Sequence, residues 1–158
     1  MATSLRNGNH IELSLPSRLE ILGVLDKIAD GITEFLEFED VDRDAVAISV
    51  IEACTNAIQH GHGEDPSKTV QVVFDLEPDQ LTIRVHDGGR GFQPVPEGSM
   101  TPPDLLATRG RGIFIMRSMM DEISFDFSEG TSVVLVKRRT RSGAAPGEVG
   151  AGEAGAGP

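Results

Sequence analysis

Between Ala45 and Gly61, Val46, Ala47, Val50, Ile51, Cys54, Ala57 and Ile58 recur at three- and four-residue steps. That spacing is one broad apolar face of an α-helix. The opposite side carries Ser49, Glu52, Asn56, Gln59 and His60, with no Lys or Arg among them. Glu52 and Asn56 are spaced i,i+4, so a carboxylate and an amide project side by side. A helix with so wide an apolar face must bury it, and the rest of the chain has to supply the layer that covers it. Taken alone, the polar side is what any core-packed helix shows to water.

The covering layer is legible as alternation. Ile11, Leu13 and Leu15 alternate with polar residues, as do Val70, Val72, Phe74 and Leu76, and then Leu81, Ile83 and Val85. The last two runs flank Glu77-Pro78-Asp79-Gln80 and read as an antiparallel hairpin. Two more strands are expected around 123–127 and 131–136, joined at Ser128-Glu129-Gly130. Pro16 ends the first strand, Ser17 and Glu20 make a capping-box pattern, and a helix is predicted over 18–36 with Ile21, Leu25, Ile28, Ile32 and Phe35 on its core face.

Asp40, Asp42 and Asp44 precede the second helix. They do not make a calcium loop, because Ala45 stands where the turn needs Gly and Ile51 where the bidentate Glu belongs. They read instead as acids complementing the helix dipole. Gly61 and Gly63 stop the helix, and His60 and His62 read as helix-terminal histidines. Lys137, Arg138, Arg139 and Arg141 read as a solvated strand end.

The fold class that follows is α+β, a two-layer sandwich of a mixed, mostly antiparallel sheet with helices on one face. At 158 residues the chain has the length of one domain. The expected division is a flexible N-terminus over 1–9, one domain over 10–140 and a disordered Gly/Ala-rich tail over 141–158, which holds too little apolar surface to offset ordering entropy. A net charge of -11 argues against a nucleic-acid backbone or an anionic membrane as partner. The lone Cys54 rules out an internal disulfide, and no apolar run has transmembrane length, so a cytoplasmic protein is expected.

Two glycine clusters carry the remaining signal. Asp87 closes a strand and is followed by Gly88, Gly89 and Gly91. Such a carboxylate can accept a hydrogen bond from an exocyclic amino group, as adenine has and guanine lacks at the equivalent position, but Asp-Gly-Gly is also an ordinary turn. Arg109-Gly110-Arg111-Gly112 opens a third helix, followed by apolar Ile113, Ile115, Met116, Met119 and Met120. A helix N-terminus offers free N–H groups to a phosphate, and the two arginines add charge; a flexible helix start is the plain alternative. The aperiodic, proline-containing segment 93–108 lies between the clusters. No Walker loop, Rossmann fingerprint or G-x-S-x-G element is present.

In order, these elements resemble the GHKL ATPase superfamily, the Bergerat fold. Glu52-Ala-Cys-Thr-Asn56 is similar to its N box, Asp87-Gly-Gly89-Arg-Gly91 to its first glycine box, Gly110-Arg-Gly112-Ile to its second, and Gly130-Thr131 to the Gly-Thr of the final strand. Within the superfamily the chain most resembles the small bacterial anti-sigma-factor serine/threonine kinases. That resemblance implies binding of ATP and Mg²⁺, a homodimer, a STAS-domain anti-sigma antagonist as phosphoryl acceptor and a sigma factor as binding partner.

The resemblance also implies roles for single residues. Glu52 would be the catalytic base, Asn56 the protein ligand of Mg²⁺, and Asp87 with Thr131 the adenine reader. Gly89, Gly91, Gly110 and Gly112 would line the nucleotide, Arg109 or Arg111 would stabilise the transferring phosphoryl group, and 93–108 would close as a lid. A non-catalytic, ATP-gated protein-binding regulator is the alternative function.

Overall fold

The computed structural model describes residues 9–89 and 108–140, with 108–110 described through their backbone. The expected flexible start, the lid segment, Arg90 and Gly91 of the first glycine box, Arg141 and the tail lie outside the described residues, apart from Asn9 and Thr108 at their borders.

Five strands form one sheet: β1 (His10–Pro16), β2 (Thr69–Glu77), β3 (Gln80–Asp87), β4 (Glu122–Asp126) and β5 (Thr131–Arg138). Their order is β1-β2-β3-β5-β4, and every pairing is antiparallel. The sheet therefore sits at the antiparallel end of what the alternation allowed. β2 and β3 close a hairpin in register from Glu77 opposite Gln80. Strand alternation puts Val70, Val72, Phe74, Leu81, Ile83, Val85, Val133 and Leu135 on one buried face.

Three helices cover that face: α1 (Leu22–Phe35), α2 (Asp40–Asn56) and α3 (Thr108–Met119). α2 lies between the other two and sends Val46, Val50, Ala53 and Cys54 into the core, joined by Ala57 and Ile58 just beyond its end. Burial pushes the Cys54 thiol up to about 12, as expected of a small core residue. Among the described residues no helix is long and apolar enough to cross a membrane.

The first helix differs from the sequence expectation in three ways. It begins as a 3-10 turn at Leu19–Ile21, and no side chain caps it, so the Ser17–Glu20 capping box does not form. Its buried face is Leu25, Ala29, Ile32 and Thr33, while Phe35 stands 61% exposed. The chain leaves α1 through Glu37 at φ 57, with the Phe38 amide donating to the Thr33 carbonyl. That closure puts Leu36 and Phe38 into the core in place of Phe35.

Two further readings change at the α2 N-terminus and on its polar side. Asp42 is an acid of the first turn of α2, as expected, but it is also buried: it pairs with Lys137 at 3.2 Å and accepts from the Thr140 amide at 3.1 Å. Arg139 reaches the Leu36 carbonyl at 3.2 Å, so two members of the basic cluster tie β5 to the helix layer rather than standing in water. Ser49 is fully buried instead of lying on the polar side.

Candidate functional site

Glu52 and Asn56 leave the last turns of α2 side by side, both half-buried, on the flank that faces α3. Gly112, in the first turns of α3, sits directly against them. A Cβ there would stand 2.7 Å from Glu52 Oε2 and 3.4 Å from Asn56 Nδ2. A side chain at 112 would push the Glu52 carboxylate aside, so the structure joins Gly112 of the second glycine cluster to the Glu52–Asn56 pair. Arg111 is exposed one residue earlier. Gly110 is placed by its backbone within the same helical start, and the Arg109 side chain lies outside the described residues.

The other half of the site is built where α2 ends. The helix widens into a π-helical turn over Ala57–Gly61, with the His62 amide donating to the Ala57 carbonyl at 2.9 Å. Turns of this kind are rare and concentrate at functional sites. The wider turn sets Gly61 on the carboxylate of Asp87, where a Cβ would be 2.5 Å from its Cγ. A Cβ on Gly89 would collide with the Gly61 carbonyl oxygen, and one on Gly130, which has φ +85, with the Asp87 carbonyl oxygen. Gly61 and Gly89 thus crowd the carboxylate, and Gly130 packs against the backbone of the same residue.

Asp87 ends β3 directly opposite Thr131 at the start of β5. Both are buried, at 4% and 2% exposure. Asp87 Oδ1 accepts from the Gly89 amide at 2.8 Å, so the turn reading of this residue holds as far as it goes. One amide does not compensate a buried carboxylate, and burial pushes the Asp87 carboxyl above its ordinary value against the Gly89 amide and the nearby His62, His86 and Lys68. Thr131 Oγ1 is buried with no hydrogen-bond partner among the described residues. A strong acceptor and an orphan hydroxyl on paired positions are half of a hydrogen-bonding edge, and a polar ligand would complete it.

One residue of this region was missed by sequence reasoning. His62 is 6% exposed, and its Nδ1 lies 3.1 Å from the hydroxyl of Ser17, itself fully buried. The serine expected to cap α1 is committed to this histidine instead. Nothing local in the sequence signals a partnership across 45 positions. A cavity of about 360 Å³, lined by Ser17, Arg18, Leu19, Glu20, Glu64 and Pro66, opens on the far side of the same serine. Among the described residues no three His, Cys, Asp or Glu side chains converge as a metal site.

The sequence profile of the histidine kinase-like ATPase domain matches residues 15–137, which takes in every described part of this site. The chain is 30% identical to the serine-protein kinase RsbW of Bacillus subtilis over 138 residues, 83% of this chain and 86% of that protein. It is 31% identical to RsbW of Bacillus licheniformis over 142 residues, 84% and 87% of the two chains. Among solved structures, the RsbU and RsbW domains of a Mycobacterium tuberculosis protein superpose with a TM-score of 0.62 at 14% identity. That match covers 85% of this chain and 33% of the other, so this chain spans about a third of it and the likeness is one of fold.

Proposed function

The chain belongs to the histidine kinase-like ATPase domain family, on the branch of the RsbW serine-protein kinases, and we propose that it transfers the γ-phosphoryl group of ATP to a serine or threonine of a STAS-domain anti-sigma antagonist and binds a sigma factor. The observation that carries the nucleotide half of this reading is the buried pair Asp87–Thr131, one an under-compensated carboxylate and the other an orphan hydroxyl. Asp87 accepts from the exocyclic amino group of adenine, and Thr131 supplies the second contact of the same edge, directly or through a water. Gly89 lets the backbone beside Asp87 lie close to the nucleoside; Gly91 and the expected lid, to which the resemblance gives the neighbouring roles, lie outside the described residues apart from Thr108.

The phosphates lie toward the N-terminus of α3, where the Gly110 amide and the helix dipole favour negative charge and Arg109 or Arg111 adds a cation; Gly112, the fifth residue of the helix, serves through its close approach to Glu52 and Asn56. Asn56 is the residue that would hold Mg²⁺, whose charge neutralises the phosphates; a donor set with one protein ligand suits an ion that keeps most of its waters. Glu52 Oε2 orients the acceptor hydroxyl and takes its proton. The serine or threonine oxygen forms the new P–O bond, the bond between the γ-phosphorus and the β,γ-bridging oxygen breaks, and ADP leaves. Phosphoryl transfer needs mainly positioning and charge neutralisation, so a modest contribution from one carboxylate is enough.

The test is intact-mass analysis of STAS-domain candidates incubated with the protein and Mg-ATP, beside a Glu52→Gln control. One phosphate added to one candidate by the wild type, with transfer reduced at least about 100-fold in the variant, is the expected result. ATP bound with no transfer to any candidate would replace the kinase with an ATP-gated binding module acting in a cytoplasmic, dimeric regulator.

A further inference from the structure

α3 is a basic helix in an acidic chain. It carries Arg109, Arg111 and Arg117 with no Asp or Glu among its residues, against a net charge of -11 for the whole sequence. Arg18, Arg43, Lys137, Arg138 and Arg139 each pair with a carboxylate elsewhere in the fold. Arg117 has no ion pair among the described residues, and its Nε is buried without a hydrogen-bond partner. Phe114 stands three residues earlier on the same side of the helix and is 42% exposed. An unpaired guanidinium beside a solvent-facing aromatic ring is the composition of an interface anchor.

Gly112 seats the helix against Glu52 and Asn56, and Phe114 and Arg117 follow it by about 3 and 8 Å along the axis. Any protein that brings a hydroxyl to Glu52 must cover the junction of α2 and α3, and a stable contact buries about 800 Å² on each side. Phe114 and Arg117 fall within that footprint. A partner held only by binding carries no such constraint on where it sits.

We propose that Phe114 and Arg117 are the docking surface for the phosphoryl-acceptor protein: Phe114 packs into an apolar depression of the acceptor, and the Arg117 guanidinium pairs with one of its carboxylates. The inference rests on the phosphotransfer reading above and adds the chemistry of the acceptor, an acidic surface with an apolar centre beside the modified serine or threonine. A carboxylate of the acceptor gives Arg117 the partner that the fold withholds, and a rotamer change of its long stem presents Nε as well.

The experiment is steady-state transfer to the STAS-domain candidate that accepts phosphate, with the full chain at saturating Mg-ATP. Arg117→Gln is expected to raise the acceptor KM about tenfold, Arg117→Lys to recover part of that loss, and Phe114→Ala to raise KM about fivefold. kcat and ATP affinity should stay within about twofold of the wild type, because neither residue belongs to the nucleotide site. The wild-type KM should rise at least about threefold between about 50 and 300 mM NaCl, a rise that Arg117→Gln flattens.

Unchanged acceptor KM in Arg117→Gln and Phe114→Ala, or a wild-type KM indifferent to salt, overturns the proposal and leaves the kinase reading in place. Loss of sigma-factor binding with the acceptor KM unchanged also overturns it and gives the surface to the sigma factor. Transfer to no candidate by the wild type overturns the kinase reading and this inference with it. The salt dependence is read on wild-type protein, so a variant that fails to fold does not shield the proposal.

Discussion

The two ends of α2 each adjoin a buried aspartate, and the two are handled in opposite ways. At the N-terminus, Asp42 is 4% exposed with both oxygens engaged, one by Lys137 at 3.2 Å and the other by the Thr140 amide at 3.1 Å. Burial alone would raise its carboxyl, but the Thr140 and Lys137 contacts outweigh it and hold the group below its ordinary value. At the C-terminus, Asp87 is equally buried, yet its hydrogen bond among the described residues comes from one amide, and its carboxyl is raised. A carboxylate whose needs are met inside the fold is holding the fold together. One left in deficit, beside a hydroxyl in deficit, is waiting for something from outside.

The contrast breaks most sharply in a crossed pair of substitutions. Asp87→Asn removes a charge-assisted acceptor, so ATP affinity should fall about 30- to 100-fold, the scale of a hydrogen bond to a charged group. Its melting temperature should hold or rise, because a costly buried anion has gone. Asp42→Ala should do the reverse. It strands Lys137, whose side chain is 13% exposed, and the loss is about 3 kcal/mol, or roughly 10 °C, with ATP affinity of the remaining folded protein spared. Calorimetry and nucleotide titration on both variants decide the matter. A large stability loss in Asp87→Asn with affinity preserved would make both aspartates structural.

What the sequence made legible tracks distance along the chain. The alternating strands and the apolar face of α2 are local patterns, and the structure reproduces them. Phe35 was misassigned because a helical stripe has soft edges; which edge is buried depends on the turn at Glu37 that swings Phe38 inward. Ser49 was placed on the polar side by its rotation about the helix, and the structure buries it fully. The Asp42–Lys137 and Ser17–His62 contacts join residues far apart in sequence. No periodicity announces such pairs. Glu52, Asn56, Asp87, Gly112 and Thr131 were named from their motifs, and the structure brings Gly112 against Glu52 and Asn56 and sets Asp87 opposite Thr131, whereas His62 was read as an ordinary helix-terminal residue.

Acid sharpens the comparison next, and by a smaller amount. Asp42 has a folded-state pKa below its unfolded value, so its stabilisation is complete above the unfolded pKa and disappears as pH falls through the folded one. Asp87 has a folded-state pKa above its unfolded value, so its carboxylate costs stability at neutral pH, and that cost vanishes as pH falls below the unfolded value. The urea midpoint of Asp42→Asn should therefore lie below that of the wild type at pH 7 and converge on it toward pH 3. Asp87→Asn should start level with or above the wild type and converge from that side. Parallel pH curves for both variants would mean that neither carboxylate differs in charge cost between the folded and unfolded states.

The smallest expected effect concerns two hydroxyls. Ser49 Oγ and Thr131 Oγ1 are both buried without a hydrogen-bond partner among the described residues, but Ser49 faces the core in the middle of α2 and Thr131 stands opposite Asp87. An orphan hydroxyl in a core is pure cost, so Ser49→Ala should raise stability by about 1 kcal/mol and leave ATP affinity alone. Thr131→Val keeps the β-branched shape that β5 prefers and removes one hydroxyl, so it should gain a similar amount of stability. If the Thr131 hydroxyl serves the nucleotide, that gain comes with a loss of about fivefold in ATP affinity, within the range of one neutral hydrogen bond. Isothermal titration beside thermal melts of the two variants separates the cases. Should both gain stability with ATP affinity intact, the Thr131 hydroxyl has no ligand, and Asp87 reads the base alone.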